Sequence, residues 1–141
     1  MYVNNYDDSF YSYVTGTSDD SAMVIAPMIY EVFKPASILD IGCGTGAWLN
    51  TFMQLYKLED VRGVDGDYIK DSFRKIPKEK FQEYDLTNFY DAGRQFDLSL
   101  SVEVGEHLPD SSSDNLVRSL TNAAKCVVFS AAMPGQRSEE H

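Results

Sequence analysis

Residues 37–49 have the sequence SILDIGCGTGAWL. The apolar run before Gly42 predicts a short buried strand, because it is apolar on both faces and a glycine stops it. Apolar residues then recur at helical spacing from Trp48 to Tyr56, which predicts a helix. The glycines between them let the backbone turn tightly and let a ligand lie against amide groups at a helix N-terminus. This strand, glycine loop and helix decide the fold.

Strand and helix patterns alternate along the rest of the chain. The predicted strands are 61–65, 80–84, 96–101 and 126–130, and the predicted helices are 22–33, 68–76 and 114–124. Such alternation implies parallel strands joined by right-handed crossovers. The sequence therefore predicts an α/β fold with a doubly wound, mostly parallel sheet of about five strands, whose ligands bind at the carboxyl ends of the strands.

The length of 141 residues fits one domain, since domains usually have about 100–200 residues. We assign residues 1–20 to a polar, tyrosine-rich N-terminal arm and residues 21–141 to the domain. The arm precedes cap residues at Ser18–Ser21 that predict the start of the first helix. Apolar residues make up 43% and charged residues 24%, which excludes a disordered chain and a collagen.

Acidic residues outnumber basic ones by 22 to 12, and the first basic residue is Lys34. The net charge of −10 repels phosphate backbones, so we expect no nucleic-acid partner, and it suits a cationic small molecule. No stretch is long and apolar enough for a membrane span, and the first residues lack a signal-peptide pattern. With Cys43 and Cys126 expected as reduced thiols, these features predict a soluble, cytoplasmic protein without membrane partners.

Asp40 lies two residues before the first glycine of the loop. The spacing of Gly42, Gly44 and Ala47 also fits a dinucleotide-binding fingerprint, although that match is weak on its own. A carboxylate at Asp40 would repel a pyrophosphate but can hold an ammonium group. The simplest alternative is a plain tight turn, but three glycines in five residues are more than a turn needs.

Two more carboxylates lie at the ends of predicted strands: Asp65 is the last residue of the strand 61–65, and Asp85 follows the strand 80–84. Asp65 can accept both hydroxyls of a ribose, a feature shared by sites for NAD and for S-adenosylmethionine; the alternative is a helix cap before Gly66. Asp85 can accept from the exocyclic amine of an adenine, with Leu86 packing on the base, and its alternative is an ordinary turn residue.

Four segments together resemble the ordered motifs of class I S-adenosylmethionine-dependent methyltransferases: ILDIGCGTGAWL, VRGVDGDYI, EYDLTNF and FDLSLSVEVGEHLPD. The resemblance covers about residues 21–134. It implies a Rossmann-like sheet, methyl transfer to oxygen or nitrogen of a small-molecule acceptor, and S-adenosylhomocysteine as product. The implied cofactor contacts are Asp40, Gly42, Cys43, Gly44, Gly46, Asp65, Gly66, Asp85, Leu86, Ser101 and Glu103.

Two other functions stay open. The glycine spacing also favours an NAD(P)-binding Rossmann oxidoreductase, although Asp40 and the EVGEHL segment disfavour it. The second alternative is a non-catalytic module, a truncated methyltransferase domain that holds S-adenosylmethionine or a partner chain without turnover. The chain contains no strong nucleophilic dyad, and methyl transfer needs none, since its leaving group is a sulfonium and positioning carries most of the acceleration.

Glu103, Glu106 and His107 form the most informative local cluster. In the simplest interpretation Glu103 faces the cofactor while Glu106 and His107 cap a loop. Alternatively Glu106 and His107 are catalytic, with His107 as general base, because its reference pKa is about 6.5. The spacing E-x-x-E-H is also similar to the metal-binding motif of small-RNA 2′-O-methyltransferases, so a divalent metal stays an open alternative.

The family sheet usually has seven strands, and the last two form a hairpin beyond the fifth. This chain ends at His141, shortly after the predicted strand 126–130. We interpret it as a truncated chain or a naturally short member. That strand would then be a bare apolar edge, which predicts a homodimer through the edge or cover from residues after Pro134.

Overall fold

The computed structural model describes residues 8–67, 70–102 and 109–130, with side chains from residue 21 onward. Five strands form one parallel sheet: β1 (Ser37–Ile41), β2 (Asp60–Asp65), β3 (Phe81–Glu83), β4 (Phe96–Val102) and β5 (Ala124–Ser130). The helices are α1 (Asp8–Phe33), α2 (Ala47–Tyr56) and α3 (Ser113–Ala123), and short 3₁₀ turns lie at Asp71–Phe73, Lys78–Lys80 and Asp110–Ser112. The strand order β3-β2-β1-β4-β5 confirms the predicted doubly wound, Rossmann-like fold, with its switch point beside β1.

β1 is the centre of the sheet, and all five of its residues are buried. Ile38 lies in register with Val61 of β2 and Leu98 of β4, and these three side chains share the face covered by α1 and α2. Leu39 and its neighbours face α3 on the opposite side. Helices therefore cover both faces, which explains why the strands are apolar on both sides.

α1 and α2 pack together on one face of the sheet and enclose one of its hydrophobic cores. Ala22, Ala26 and Ile29 are buried at helical spacing along α1, and they share a core cluster with Phe52 of α2. The rings of Tyr30 and Tyr56 stack between the two helices with their centroids 3.8 Å apart. This packing fixes α2, and with it the glycine loop that precedes α2.

α1 begins well before the predicted start at Ser18–Ser21. It starts at Asp8 and so includes residues 8–20 of the predicted arm; residues 1–7 lie outside the described residues. The stretch before Pro27 contains no proline, so the backbone can continue the helix upstream. Pro27 itself lies inside the helix. None of the helices in the described ranges is both long and apolar enough to cross a membrane.

One other local prediction was wrong. The segment 68–76 is no helix where it is described: it forms only the turn Asp71–Phe73, because the Lys75 N–H donates to Thr45 O at 2.7 Å and ties the segment to the glycine loop. A 3₁₀ turn that contains Ser111 runs directly into α3, and Ser112 at the N-cap makes no side-chain capping hydrogen bond.

Candidate functional site

The glycine loop turns the chain from β1 into α2 at the carboxyl edge of the sheet. Gly44 and Gly46 have positive φ values of 57° and 92°, a region that disfavours side chains. A Cβ at Gly46 would lie 2.9 Å from Ile76 Cγ1, whereas a Cβ at Gly44 would meet no heavy atom of the described residues within 4 Å. Ile76 therefore packs closely against the loop at Gly46, whereas no described residue covers Gly44, so a ligand can approach the backbone there.

Asp65 ends β2 and holds the loop in place. Its side chain is only 3% exposed, and its two oxygens accept N–H groups of Gly44 at 2.7 Å and of Gly66 at 2.8 Å. The N–H groups of Gly42 and Cys43 both donate to Val64 O. The amides of the loop are thus directed at β2 and at a carboxylate, and fewer of them are available to a pyrophosphate.

Asp40 lies beside Asp65 on the same face of the sheet. Its partner in the β1–β2 register is Gly63, and Asp65 follows two residues later on the same side of β2. Gly63 leaves space that Cys43 fills, because a Cβ at Gly63 would lie 2.7 Å from Cys43 Sγ. Two carboxylates and a thiol therefore meet around one glycine.

Burial shapes the electrostatics of this cluster. Asp40 is 2% exposed, and burial, followed by the negative charge of Asp65, raises its pKa to about 8. The same burial, with the charges of Asp65 and Asp40, raises the pKa of the Cys43 thiol well above its ordinary value, so the thiol is neutral. A positively charged ligand group would relieve the repulsion between the carboxylates.

Ser101 lies near the carboxyl end of β4. Its side chain is fully buried, and its Oγ has no hydrogen-bond partner among the described residues. Buried hydroxyls are normally paired, so this one is available to a ligand at the same edge of the sheet. Ser101 lies on the α3 face of β4, opposite to the face of Asp40, which is in register with Leu100. The open Gly44 backbone and the buried carboxylates fit a ligand that is cationic and rich in hydrogen-bonding groups.

Asp85 and Leu86 make local contacts in this structure. Asp85 Oδ1 accepts from Thr87 N at 3.0 Å and Thr87 Oγ1 at 2.7 Å, and the bond from the Thr87 hydroxyl is the main reason that the pKa of Asp85 is lowered. Leu86 is buried in the core beneath α3. These contacts are those of a turn residue and a core residue, and the adenine contact stays a prediction.

The predicted cluster of Glu103, Glu106 and His107 lies outside the described residues. Among the residues that are described, no group of three or more acidic, histidine or cysteine side chains could hold a metal ion. The catalytic and metal-binding roles of the cluster therefore stay predictions. Cys43 and Cys126 both carry free thiols.

Sequence reasoning missed the contribution of the segment after β2. The Arg74 side chain is 10% exposed, and its guanidinium lies 4.6 Å from the Phe81 ring centroid and donates to Asp71 Oδ1 at 2.8 Å. Its Nε has no hydrogen-bond partner in the described part of the chain. These contacts were missed because the segment was predicted to be a helix. The local signal in the sequence against a helix is Pro77, which directly follows the segment.

The chain resembles known proteins in both sequence and structure. Residues 24–132 match the family model described as a methyltransferase domain. No curated protein matches the chain.

Three solved structures illustrate the similarity. The methyltransferase domain of bacterial CtHen1 is 18% identical with a TM-score of 0.63; the match covers 79% of this chain and 65% of that one. A SAM-bound amino pentose methyltransferase of calicheamicin biosynthesis from Micromonospora echinaspora is 20% identical with a TM-score of 0.68; the match covers 94% of this chain and 60% of that one. A plantazolicin methyltransferase in complex with SAH is 25% identical with a TM-score of 0.62; the match covers 82% of this chain and 47% of that one. The chain thus spans less than two thirds of the length of these structures.

Proposed function

Because the chain belongs to the methyltransferase-domain family, we propose that it binds S-adenosylmethionine at the carboxyl edge of the sheet and transfers its methyl group to a small-molecule acceptor. The family match and the fold support methyltransferase activity. The acceptor atom, oxygen or nitrogen, follows from the resemblance of the sequence motifs alone.

One observation favours this cofactor over a nicotinamide dinucleotide. The glycine loop lies against two buried carboxylates, Asp40 and Asp65, and its Gly44 amide donates to one of them. S-Adenosylmethionine carries a sulfonium and an ammonium group, whereas a dinucleotide would bring a doubly negative pyrophosphate to the same loop. A pyrophosphate next to a buried carboxylate is strongly unfavourable, because both are negatively charged.

We assign a different part of the cofactor to each of the described site residues. Asp65 lies at the carboxyl end of β2, and a carboxylate has about four acceptor positions, so we assign it to the ribose hydroxyls in addition to the N–H groups of Gly44 and Gly66. Asp40 can hold the ammonium group, directly or through water. Ser101 can satisfy its hydroxyl on the same ligand, and Gly44 lets the ligand approach the backbone.

The bound cofactor supplies a methyl group on a positively charged sulfur that leaves as a neutral thioether. The protein therefore has to position the acceptor and exclude water, which carries most of the acceleration in such a displacement. Glu106 and His107 are our candidates for accepting the acceptor's proton. Their role is a prediction from the sequence.

The acidic charge supports a small acceptor. A chain with a net charge of −10 repels RNA and DNA, because nucleic-acid binding depends on neutralising phosphates with basic residues. One of the matched structures is an amino pentose methyltransferase, which is compatible with a small polar acceptor.

Isothermal titration calorimetry with S-adenosylmethionine, S-adenosylhomocysteine and NADPH tests the proposal. We expect saturable heat from the first two ligands and none from NADPH. Transfer of a radiolabelled methyl group to one compound from a panel of small hydroxyl and amine acceptors then separates an enzyme from a binding module. Heat from NADPH alone would overturn the proposal and favour a dinucleotide-binding protein.

A further inference from the structure

Asp40 and Asp65 form a pair of buried carboxylates at the proposed cofactor site. They project from the same face of neighbouring strands, Asp40 opposite Gly63 and Asp65 two residues further along β2. Both are almost fully buried, at 2% and 3% exposure. Two carboxylates in such a position do not both ionise readily unless a cation is present.

The two carboxylates differ in what stabilises their charge. Asp65 accepts two backbone N–H groups, from Gly44 and Gly66, and these bonds favour its ionised form. For Asp40, burial and the charge of Asp65 are the causes that shift its titration, and both favour the protonated form. The proton of the pair therefore lies on Asp40.

The other charged groups near Asp40 do not move the proton from Asp40 to Asp65. From β2 it faces Asp65, and from the glycine loop it faces the neutral thiol of Cys43. The segment after β2 brings the Arg74 guanidinium near Cys43. α2 contains no ionisable carboxyl or basic group, and Glu31, the acidic residue of α1 with a described side chain, is 77% exposed.

We propose that the Asp40–Asp65 pair exchanges a proton for a cation: the empty site holds one proton on Asp40, and an entering ligand with a positive charge displaces it. The inference rests on the proposed function, because S-adenosylmethionine is the cation in question. When its ammonium group enters, the O–H bond of Asp40 breaks and the proton passes to a buffer base. The pair then carries two negative charges facing the ligand.

This exchange makes the site selective for charged ligands at neutral pH. Because burial and the charge of Asp65 raise the pKa of Asp40 to about 8, Asp40 is mostly protonated at pH 7. Nearly one proton should therefore leave per S-adenosylmethionine bound. 5′-Methylthioadenosine shares the adenosine and lacks the amino-acid part, so it should displace no proton.

Calorimetry in two buffers counts the protons. At pH 7, titrations with S-adenosylmethionine in phosphate and in Tris should differ in heat by the amount that corresponds to most of one proton released, since Tris has the larger ionisation enthalpy. Asp40→Asn should give the same heat in both buffers. Asp91→Asn is the matched control: Asp91 is exposed, and its Oδ1 accepts Gly93 N–H at 2.9 Å, a bond that asparagine can keep. It should release as many protons as the unmodified protein.

The pH dependence of affinity gives a second measurement. Between pH 6 and 7 the affinity of the unmodified protein should rise about tenfold relative to Asp40→Asn. The comparison stays below pH 7.5 because the ligand's own ammonium loses its proton near pH 7.7–8.0. Binding without buffer-dependent heat would overturn the proton exchange and leave the proposed function standing. No heat from S-adenosylmethionine between pH 6 and 7.5 would overturn both.

Discussion

Asp65 is the residue on which cofactor binding and loop geometry both depend. Replacing it with alanine removes a charged acceptor for the ribose and leaves the Gly44 and Gly66 amides without their partner. Hydrogen bonds to charged groups contribute about 1.5–3 kcal/mol, so Asp65→Ala should weaken S-adenosylmethionine binding at least about tenfold in calorimetry.

Asp60 offers a control for Asp65 at the other end of β2. It is half exposed and pairs with Arg94, and exposed ion pairs contribute only about 0–1 kcal/mol. Asp60→Ala should therefore bind S-adenosylmethionine as the unmodified protein does. Equal affinities for the two alanine variants would contradict the role of Asp65.

Asp40 should make the stability of the ligand-free protein fall as the pH rises. In the unfolded chain its carboxyl ionises near the ordinary aspartate pKa of 3.8, whereas in the folded protein it keeps its proton up to about pH 8. Between these values the folded state binds one more proton, so the free energy of unfolding falls by about 1.4 kcal/mol per pH unit from this residue. Asp40→Asn removes this slope, and urea denaturation at pH 5, 6, 7 and 8 measures the difference between the two proteins. A constant difference across these pH values would contradict the raised pKa of Asp40.

The sequence predicts single site residues better than their contacts. Asp40 and Asp65 lie in the last two residues of recognisable strands, so their place at the carboxyl edge could be predicted. The bond from Gly44 N–H to Asp65 could not, because it depends on the register of β1 against β2. The state of the Ser101 hydroxyl could not be predicted either, because it depends on which groups surround the side chain in the folded structure. Among the described residues, none forms a hydrogen bond with it.

At the scale of elements, the segment after β2 shows where local patterns mislead. Apolar spacing predicted a helix over 68–76, but the backbone bond from Lys75 to Thr45 and the packing of Ile76 under the glycine loop outweigh that preference. Helix propensities are worth a few tenths of a kcal/mol per residue, and tertiary contacts readily override them. The ends of the strands were predicted to within two residues, and the signal is clearest in β1, where burial on both faces leaves an unbroken apolar run.

The contact between this segment and the glycine loop can be tested at Gly46. Alanine there meets a φ of 92° and places its Cβ 2.9 Å from Ile76 Cγ1. Gly93 is a matched control, because its φ is 76° and a Cβ there meets nothing within 4 Å among the described residues. Both variants should lose about 1–2 kcal/mol to backbone strain, and Gly46→Ala should lose a further 1–3 kcal/mol or so to overpacking.

Urea denaturation of these variants isolates the overpacking. Adding Ile76→Ala should cost less stability in the background of Gly46→Ala than in the unmodified protein, because it removes the clash. The same addition to Gly93→Ala should show no such coupling, since the sites share no partner. Equal losses for the two glycine variants would contradict the close packing of the loop.

At the scale of the whole molecule, the two edges of the described sheet differ. β3 has only three residues, whereas β5 has seven and contains neither proline nor glycine. Its outer side has no strand partner within the described residues, and Phe129 is 48% exposed. Long apolar edges favour pairing with another strand. Lys125 is the charged residue of β5, so this edge repels a second acidic copy less than the rest of the surface does.

We therefore predict an isologous dimer in which two β5 edges pair, and a strong dependence of that dimer on salt. The charge of −10 on each chain opposes association, and the Debye length falls from about 10 Å at 0.1 M salt to 3 Å at 1 M. Light scattering should show the dimer growing with ionic strength, and Phe129→Lys should abolish it. Val117→Lys, on α3 and equally exposed at 48%, should leave the dimer intact. Loss of the dimer through Met28→Lys instead would place the interface on the exposed apolar face of α1, where Met28 is 64% exposed. A monomer at every salt concentration would show that the β5 edge does not associate with itself.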